Sequence, residues 1–190
     1  MHIQPTEKRF YIILISIKLI FVFWSKYLRI KINLTTHENN LESMSFTIRE
    51  IEENDFENGF FETLSNLSTV GSINTNDLLK KEIIKEIITN KDYVIIISED
   101  AKSREVIGTA TLFIEQKFIH NGGKVGHIED VATRKGYEGK GIGKEIIKKL
   151  IAISRERGCY KVILDCDEKV SKFYEKIGFK KKAIMLRFDL

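Results

Sequence analysis

"HIEDVATRKGYEGKGIGKEIIKKL", residues 127–150, runs from a strand-like stretch through a glycine cluster into a helix rich in basic residues. Three glycines, Gly139, Gly141 and Gly143, stand at alternate positions just before that helix. Glycine loses more conformational entropy on folding than any other residue, so such a cluster marks a sharp bend or a close approach. The helix start behind it offers free N–H groups and the positive end of the helix dipole, a setting for an anion and above all a phosphate. On spacing alone, a glycine-rich surface turn before an ordinary helix explains the pattern equally well.

Working outward, "SFTIREI" (45–51) alternates apolar and polar side chains and predicts a half-buried strand. Asn54-Asp55 can cap a helix over "FENGFFETLSNLS" (56–68). "NTNDLLKKEIIKEIITN" (74–90) places Leu78, Leu79, Ile83, Ile84, Ile87 and Ile88 on one predicted helical face. "DYVIIISED" (92–100) is a continuous apolar strand. "VIGTATLFIEQKF" (106–118), the turn "HNGG" (120–123) and "KVGHIEDVATR" (124–134) form a strand pair. The helix after the glycines, about 142–157, turns Ile142, Ile146, Ile147, Leu150, Ile151 and Ile153 inward and ends at Gly158. A buried strand "YKVILDC" (160–166), a helix "EKVSKFYEKIG" (168–178) and a final strand "FKKKAIMLRFDL" follow. The class is mixed α/β around one sheet.

The 190 residues carry a formal charge of +4. Residues 1–43 hold six of the 31 Lys/Arg and three of the 27 Asp/Glu, leaving 25 bases against 24 acids in residues 44–190. That balance gives no support for nucleic-acid binding. Cys159 and Cys166 are too few for a disulfide framework and suit a reducing cytoplasm; neither they nor the four histidines show metal-ligand spacing, so no metal is expected. The apolar run "FYIILISIKLIFVFW" (10–24) would span about 22 Å as a helix, short of a bilayer core of about 30 Å. Residues 1–43 read as an extension that is non-functional, absent from the mature protein or membrane-associated through 10–24, and residues 44–190 as one domain.

The strand–glycine loop–helix unit followed by "GCYKVILDCDEKVSKFYEKIGF" resembles the GNAT N-acetyltransferase superfamily. Within it, "GHIEDVA", "YEGKGIGK", "GCYKVILDCDEK" and "FYEKIGF", together with the opening "TIREIEENDFEN" and "LSNLSTVG", are similar to the glucosamine-6-phosphate N-acetyltransferases. The likeness covers about residues 46–188. It implies a GNAT acyl-CoA N-acyltransferase fold, a mixed central sheet splayed between its fourth and fifth strands and flanked by helices. It further implies acetyl-CoA as co-substrate, a homodimer whose partner chain completes the sugar site, and an amino sugar phosphate as acceptor.

By the same resemblance, Gly139, Lys140, Gly141, Ile142, Gly143 and Lys144 hold the pyrophosphate of acetyl-CoA, and Val131, Ala132 and Thr133 pair with its pantetheine. Glu129 and Asp130 lie where the sugar's hydroxyls and amine bind, on opposite faces by strand alternation. Asp165 positions the amine and helps take its proton, because only a neutral amine attacks a thioester. Tyr174 stands near the departing sulfur, with Phe173 beside it as the core residue. Ser68, Lys117, His120 and Arg187 are the candidates for the sugar phosphate. Two positions depart from the pattern: Glu138 replaces the usual Gln or Arg, and Val170 the usual Asn. A carboxylate at 138 is electrostatically adverse unless it points outward or pairs with a lysine.

Each of these residues has a plainer explanation. Glu129 and Asp130 suit a solvated strand edge, Asp165 a turn cap, Tyr174 a core aromatic, and the three bases a charged surface. Three other functions remain open at this level: acetylation of a polyamine or protein N-terminus, an acetyl-CoA-binding module without turnover, and a membrane-tethered scaffold.

Overall fold

A computed structural model describes residues 45–190; the apolar run at 10–24 and the boundary at 44 lie outside the described residues. The elements are β1 (Phe46–Glu50), α1 (Phe60–Ser65), α2 (Asp77–Thr89), β2 (Tyr93–Asp100), β3 (Val106–Gln116), β4 (Lys124–Thr133), α3 (Ile142–Glu156), β5 (Cys159–Ile163) and α4 (Glu168–Ile177). The strands lie in the order β1-β2-β3-β4-β5. The first three pairings are antiparallel and β4–β5 is parallel, so α3 serves as the crossover a parallel pair requires.

The two sheet faces are covered differently. On one, Ile142, Ile146, Ile147 and Leu150 of α3 are buried, and Ile142 and Ile146 lie directly against Gly108. On the other, Phe56, Phe60 and Phe61 pack on Ile95, Ile97 and Val106, with Ile84 and Ile87 of α2 at the margin. Farther along this second face, Tyr93 pairs with Phe113 and Phe113 with His127; Ile95 pairs with Thr111 and Thr111 with Glu129. Period-two alternation therefore keeps Tyr93, Thr111, Phe113, His127 and Glu129 on one surface.

Several sequence expectations need correction. The helix expected over 56–68 is interrupted: residues 53–57 form a 3-10 turn, and α1 begins only after Gly59, whose φ is +88°. A Cβ at Gly59 would sit 1.7 Å from the Arg134 guanidinium, so close approach as well as backbone angle demands glycine. Asp55 caps no long helix; it accepts the Glu52 N–H at 2.7 Å and binds Arg49 at 2.6 and 2.7 Å. In α2 the Asn76 side chain supplies the cap, and Leu78, Leu79 and Ile88 are exposed, Leu78 to 78%. β5 stops at Ile163 and is half exposed rather than buried. Residues 179–190 form no strand. Ile184, Met185, Leu186 and Phe188 there are exposed, and the pairing they would need is missing among the described residues.

Candidate active site

Two features of β4 shape the site. Its parallel pairing with β5 runs from Lys124↔Cys159 to His127↔Ile163 and ends there, whereas β4 continues to Thr133. Val131, Ala132 and Thr133 thus lie beyond β5, with β3 alone beside them (Thr109↔Ala132, Gly108↔Thr133). This is the splay that the resemblance implies, and its open edge suits an extended polar chain added as a further strand. The second feature is a bulge. Thr109 faces Ala132 and Thr111 faces Glu129, so Asp130 and Val131 together oppose Ala110, and Asp130 takes φ +51°.

The bulge corrects the expectation that Glu129 and Asp130 point to opposite faces. Both line one cavity of about 500 Å³ with Tyr93, Thr111, Phe113, Glu115 and His127. Partial burial raises the Glu129 carboxyl above its ordinary pKa, and the nearby Asp165 and Asp130 charges push the same way, against His127. The charges of Asp165, in the loop after β5, and of Asp130, on β4, thus both bear on Glu129. Asp165 itself lines a different, larger cavity of about 900 Å³ with Cys166 and Tyr174.

Phe173 is not the core residue that was expected; Tyr174 is the more buried of the two. Tyr174 is 8% exposed, held edge-on between Phe173 (4.9 Å) and Phe179 (5.9 Å), while Phe173 is 37% exposed and approaches Gly143. Burial, with Cys166 nearby, raises the Tyr174 pKa, so it remains a phenol able to donate a proton.

Behind β4 the glycine loop is open. Gly139 and Gly141 take φ +76° and +87°, and a Cβ on either would meet nothing within 4 Å. The first bond into α3 is Glu145 N–H to the Gly141 carbonyl at 3.1 Å; the N–H groups of residues 139–144 have no acceptor among the described residues. Lys140 lies over the Tyr137 ring, 4.3 Å from its centre. Glu138 turns back on the loop, taking the Gly136 N–H at 2.6 Å and the Asn66 amide at 3.3 Å. Its own N–H, then that of Gly136, holds its carboxyl below the ordinary range. The adverse charge is met by amides rather than by a lysine.

The four phosphate candidates do not converge. Asn66, two residues before Ser68, donates to the Thr133 carbonyl at 2.7 Å, placing that loop at the far end of β4. His120 stacks on Tyr160 (4.3 Å) in the turn preceding β4, and Lys117 N–H bonds the Gly123 carbonyl. Ten residues of strand separate these ends, about 30 Å at the usual rise. Lys117 is ion-paired to Glu115, whose other oxygen meets His127 Nε2 at 2.9 Å. Arg187 binds Asp189 in the exposed C-terminal stretch. Glu115, His127 and Asn66 are the site neighbours that the sequence did not single out. The alternation of β4 was a usable signal for His127, two residues from Glu129.

The Acetyltransferase (GNAT) family matches residues 47–179. A glucosamine 6-phosphate N-acetyltransferase of Arabidopsis thaliana is 38% identical over 75% of this chain and 95% of its own. Glucosamine 6-phosphate N-acetyltransferase 1 of Dictyostelium discoideum is 37% identical over 76% and 90%. The crystal structure of the Arabidopsis thaliana enzyme superposes with a TM-score of 0.73 at 37% identity, covering 77% of this chain and 99% of that one. The chain belongs to the GNAT acetyltransferase family and, within it, to the glucosamine 6-phosphate N-acetyltransferases.

Proposed function

We propose that this chain moves acetyl from acetyl-CoA to the amine of D-glucosamine 6-phosphate. The product, N-acetyl-D-glucosamine 6-phosphate, would feed UDP-N-acetylglucosamine synthesis in the cytoplasm. Glu129 and Asp130, lining one cavity beside the splayed end of β4 with the Asp165 charge near enough to act on Glu129, carry this reading. The open amides of residues 139–144, with Lys144, take the pyrophosphate, and the edge at Val131–Thr133 takes the pantetheine. The sugar amine, made neutral by losing a proton to Glu129 or Asp165, attacks the thioester carbon directly. A backbone N–H of β4 stabilises the oxyanion of the tetrahedral intermediate. As the C–N bond completes and the C–S bond breaks, Tyr174 gives its proton to the departing thiolate, and the proton that the new amide nitrogen sheds restores the Tyr174 phenol.

The acceptor site is completed by a second copy of the chain. Ser68 and the Lys117–His120 turn lie at opposite ends of β4, too far apart for one phosphate within one chain. An isologous dimer brings one chain's far end to the other's near end. The exposed Ile184, Leu186 and Phe188 supply apolar surface for such a contact.

Thiol release from acetyl-CoA by the full chain tests the substrate, with glucosamine 6-phosphate, glucosamine, spermidine and a short peptide as parallel acceptors. Turnover confined to the phosphorylated sugar is the expected result. Preference for another amine would refute the substrate, and coenzyme A binding without turnover would favour a binding module.

A further inference from the structure

The pyrophosphate loop has few internal supports. Gly136, Gly139 and Gly141 all have positive φ, and an added Cβ at any of them would touch nothing within 4 Å, so no packing holds these positions. Its root is firm: Arg134 is buried, donates to the Gly59 carbonyl at 3.0 Å and pairs with Glu105 at 3.1 Å. Between that root and α3, the Tyr137 N–H reaches the Arg134 carbonyl and Lys140 covers Tyr137. Glu138 supplies the remaining tie. One carboxylate oxygen accepts the Gly136 N–H at 2.6 Å, and the other accepts from Asn66 Nδ2 at 3.3 Å.

Asn66 is the hub of this arrangement. The same amide nitrogen donates to the Thr133 carbonyl at 2.7 Å, at the last residue of β4. One side chain thereby joins the end of α1, the edge proposed for pantetheine and the loop proposed for pyrophosphate. A glycine-rich loop that must present its N–H groups to an anion loses conformational entropy on binding, and a tie already made in the free protein lowers that cost.

We propose that Asn66 and Glu138 are paired positioning residues for acetyl-CoA, a role that rests on the acetyl transfer proposed above. The pair preorganises the 136–144 loop against the end of β4. Glu138 acts through the amides it orders and touches no reacting atom. Its charge is taken up by N–H donors, which removes the objection that a carboxylate at this position opposes pyrophosphate.

Calorimetric titration of the full chain with coenzyme A reads this step without an acceptor, and so separates it from the choice of acceptor. Asn66→Ala and Glu138→Ala should each weaken coenzyme A binding about three- to tenfold, the scale of one or two exposed hydrogen bonds. The double variant should bind more weakly than either single one but by less than the product of their losses, because the two share the Asn66–Glu138 bond while each also breaks a bond of its own. In turnover, KM for acetyl-CoA should rise while kcat and the KM for the amino sugar stay at wild-type values. Thermal unfolding of each variant identifies a general loss of fold, which would lower kcat as well. Unchanged coenzyme A affinity in both single variants, or fully additive losses in the double, would overturn the brace. Failure of the wild-type chain to bind coenzyme A would overturn the donor site and the brace with it.

Discussion

The proposed donor and acceptor sides of β4 are built to different degrees by one chain. On the donor side, the glycine loop, the start of α3, the splayed edge and Tyr174 follow one another from Val131 to Tyr174, and α3 fixes them against a fully buried row of isoleucines. On the acceptor side, the acids gather, but the groups expected for phosphate lie at opposite ends of β4 and in an exposed C-terminal stretch. A site assembled from consecutive elements can be complete in one chain. The proposed acceptor site would draw on both ends of a strand about 30 Å long, which is why a second chain is proposed for it.

The largest expected effects test the chemical centre that the two sides share. Tyr174→Phe should lower kcat about 10²-fold with KM for acetyl-CoA unchanged, as loss of a proton donor to the thiolate predicts. Glu129→Gln should lower kcat by a similar factor, about 10². Its pH behaviour adds a sign. A base with a raised pKa loses activity as pH falls through that value, so the wild-type acid limb should be displaced upward from an ordinary carboxylate. The same elevation means the fold penalises ionised Glu129. Glu129→Gln should therefore raise Tm at neutral pH, with the gain fading as pH drops through the folded pKa. A variant that lost activity without this gain would place Glu129 in a structural pairing instead.

Next in size is the donor side's anchor. Gly59→Ala forces a left-handed residue and displaces Arg134 from the root of the loop, and should destabilise the chain by about 2 kcal/mol in denaturant unfolding. The smallest effect concerns the acceptor side. Lys117→Ala should raise KM for the sugar phosphate about tenfold and leave KM for acetyl-CoA unchanged, the loss of one charged contact. An equal effect on both substrates would erase the distinction between the two sides.

The fold was readable where pattern and burial coincide. The alternation of "SFTIREI", the isoleucine spacing of α3 and the glycines before it all placed their elements correctly, since each side chain's local preference agrees with its packing. Misreadings arose where a distant residue overrides local pattern. Arg134, 75 positions away, fills the space beside Gly59 and breaks the expected helix. The bulge at Asp130 re-aims an acid that alternation assigned to the other face, because register depends on β3. The final strand was read from apolar residues that find no partner strand among the described residues; hydropathy records that Leu186, 91% exposed, needs cover but not which chain provides it. Of the candidate site, the loop and the acids were proposed from motif blocks. The Asn66–Glu138 tie was not, because it joins residues 72 positions apart through two side chains of ordinary loop character.

Mixing two impaired variants tests the division between the sides most directly. Asp165→Asn lacks the acid of its own chain, and Lys117→Ala lacks the base proposed to act on the partner's acceptor. After co-refolding, a shared site predicts recovery of about a quarter of wild-type turnover at sugar phosphate well below the wild-type KM, where the loss of Lys117 is felt, since random pairing leaves that fraction of sites with both groups. Turnover no greater than the average of the two separate variants would contradict it and return the whole acceptor site to a single chain.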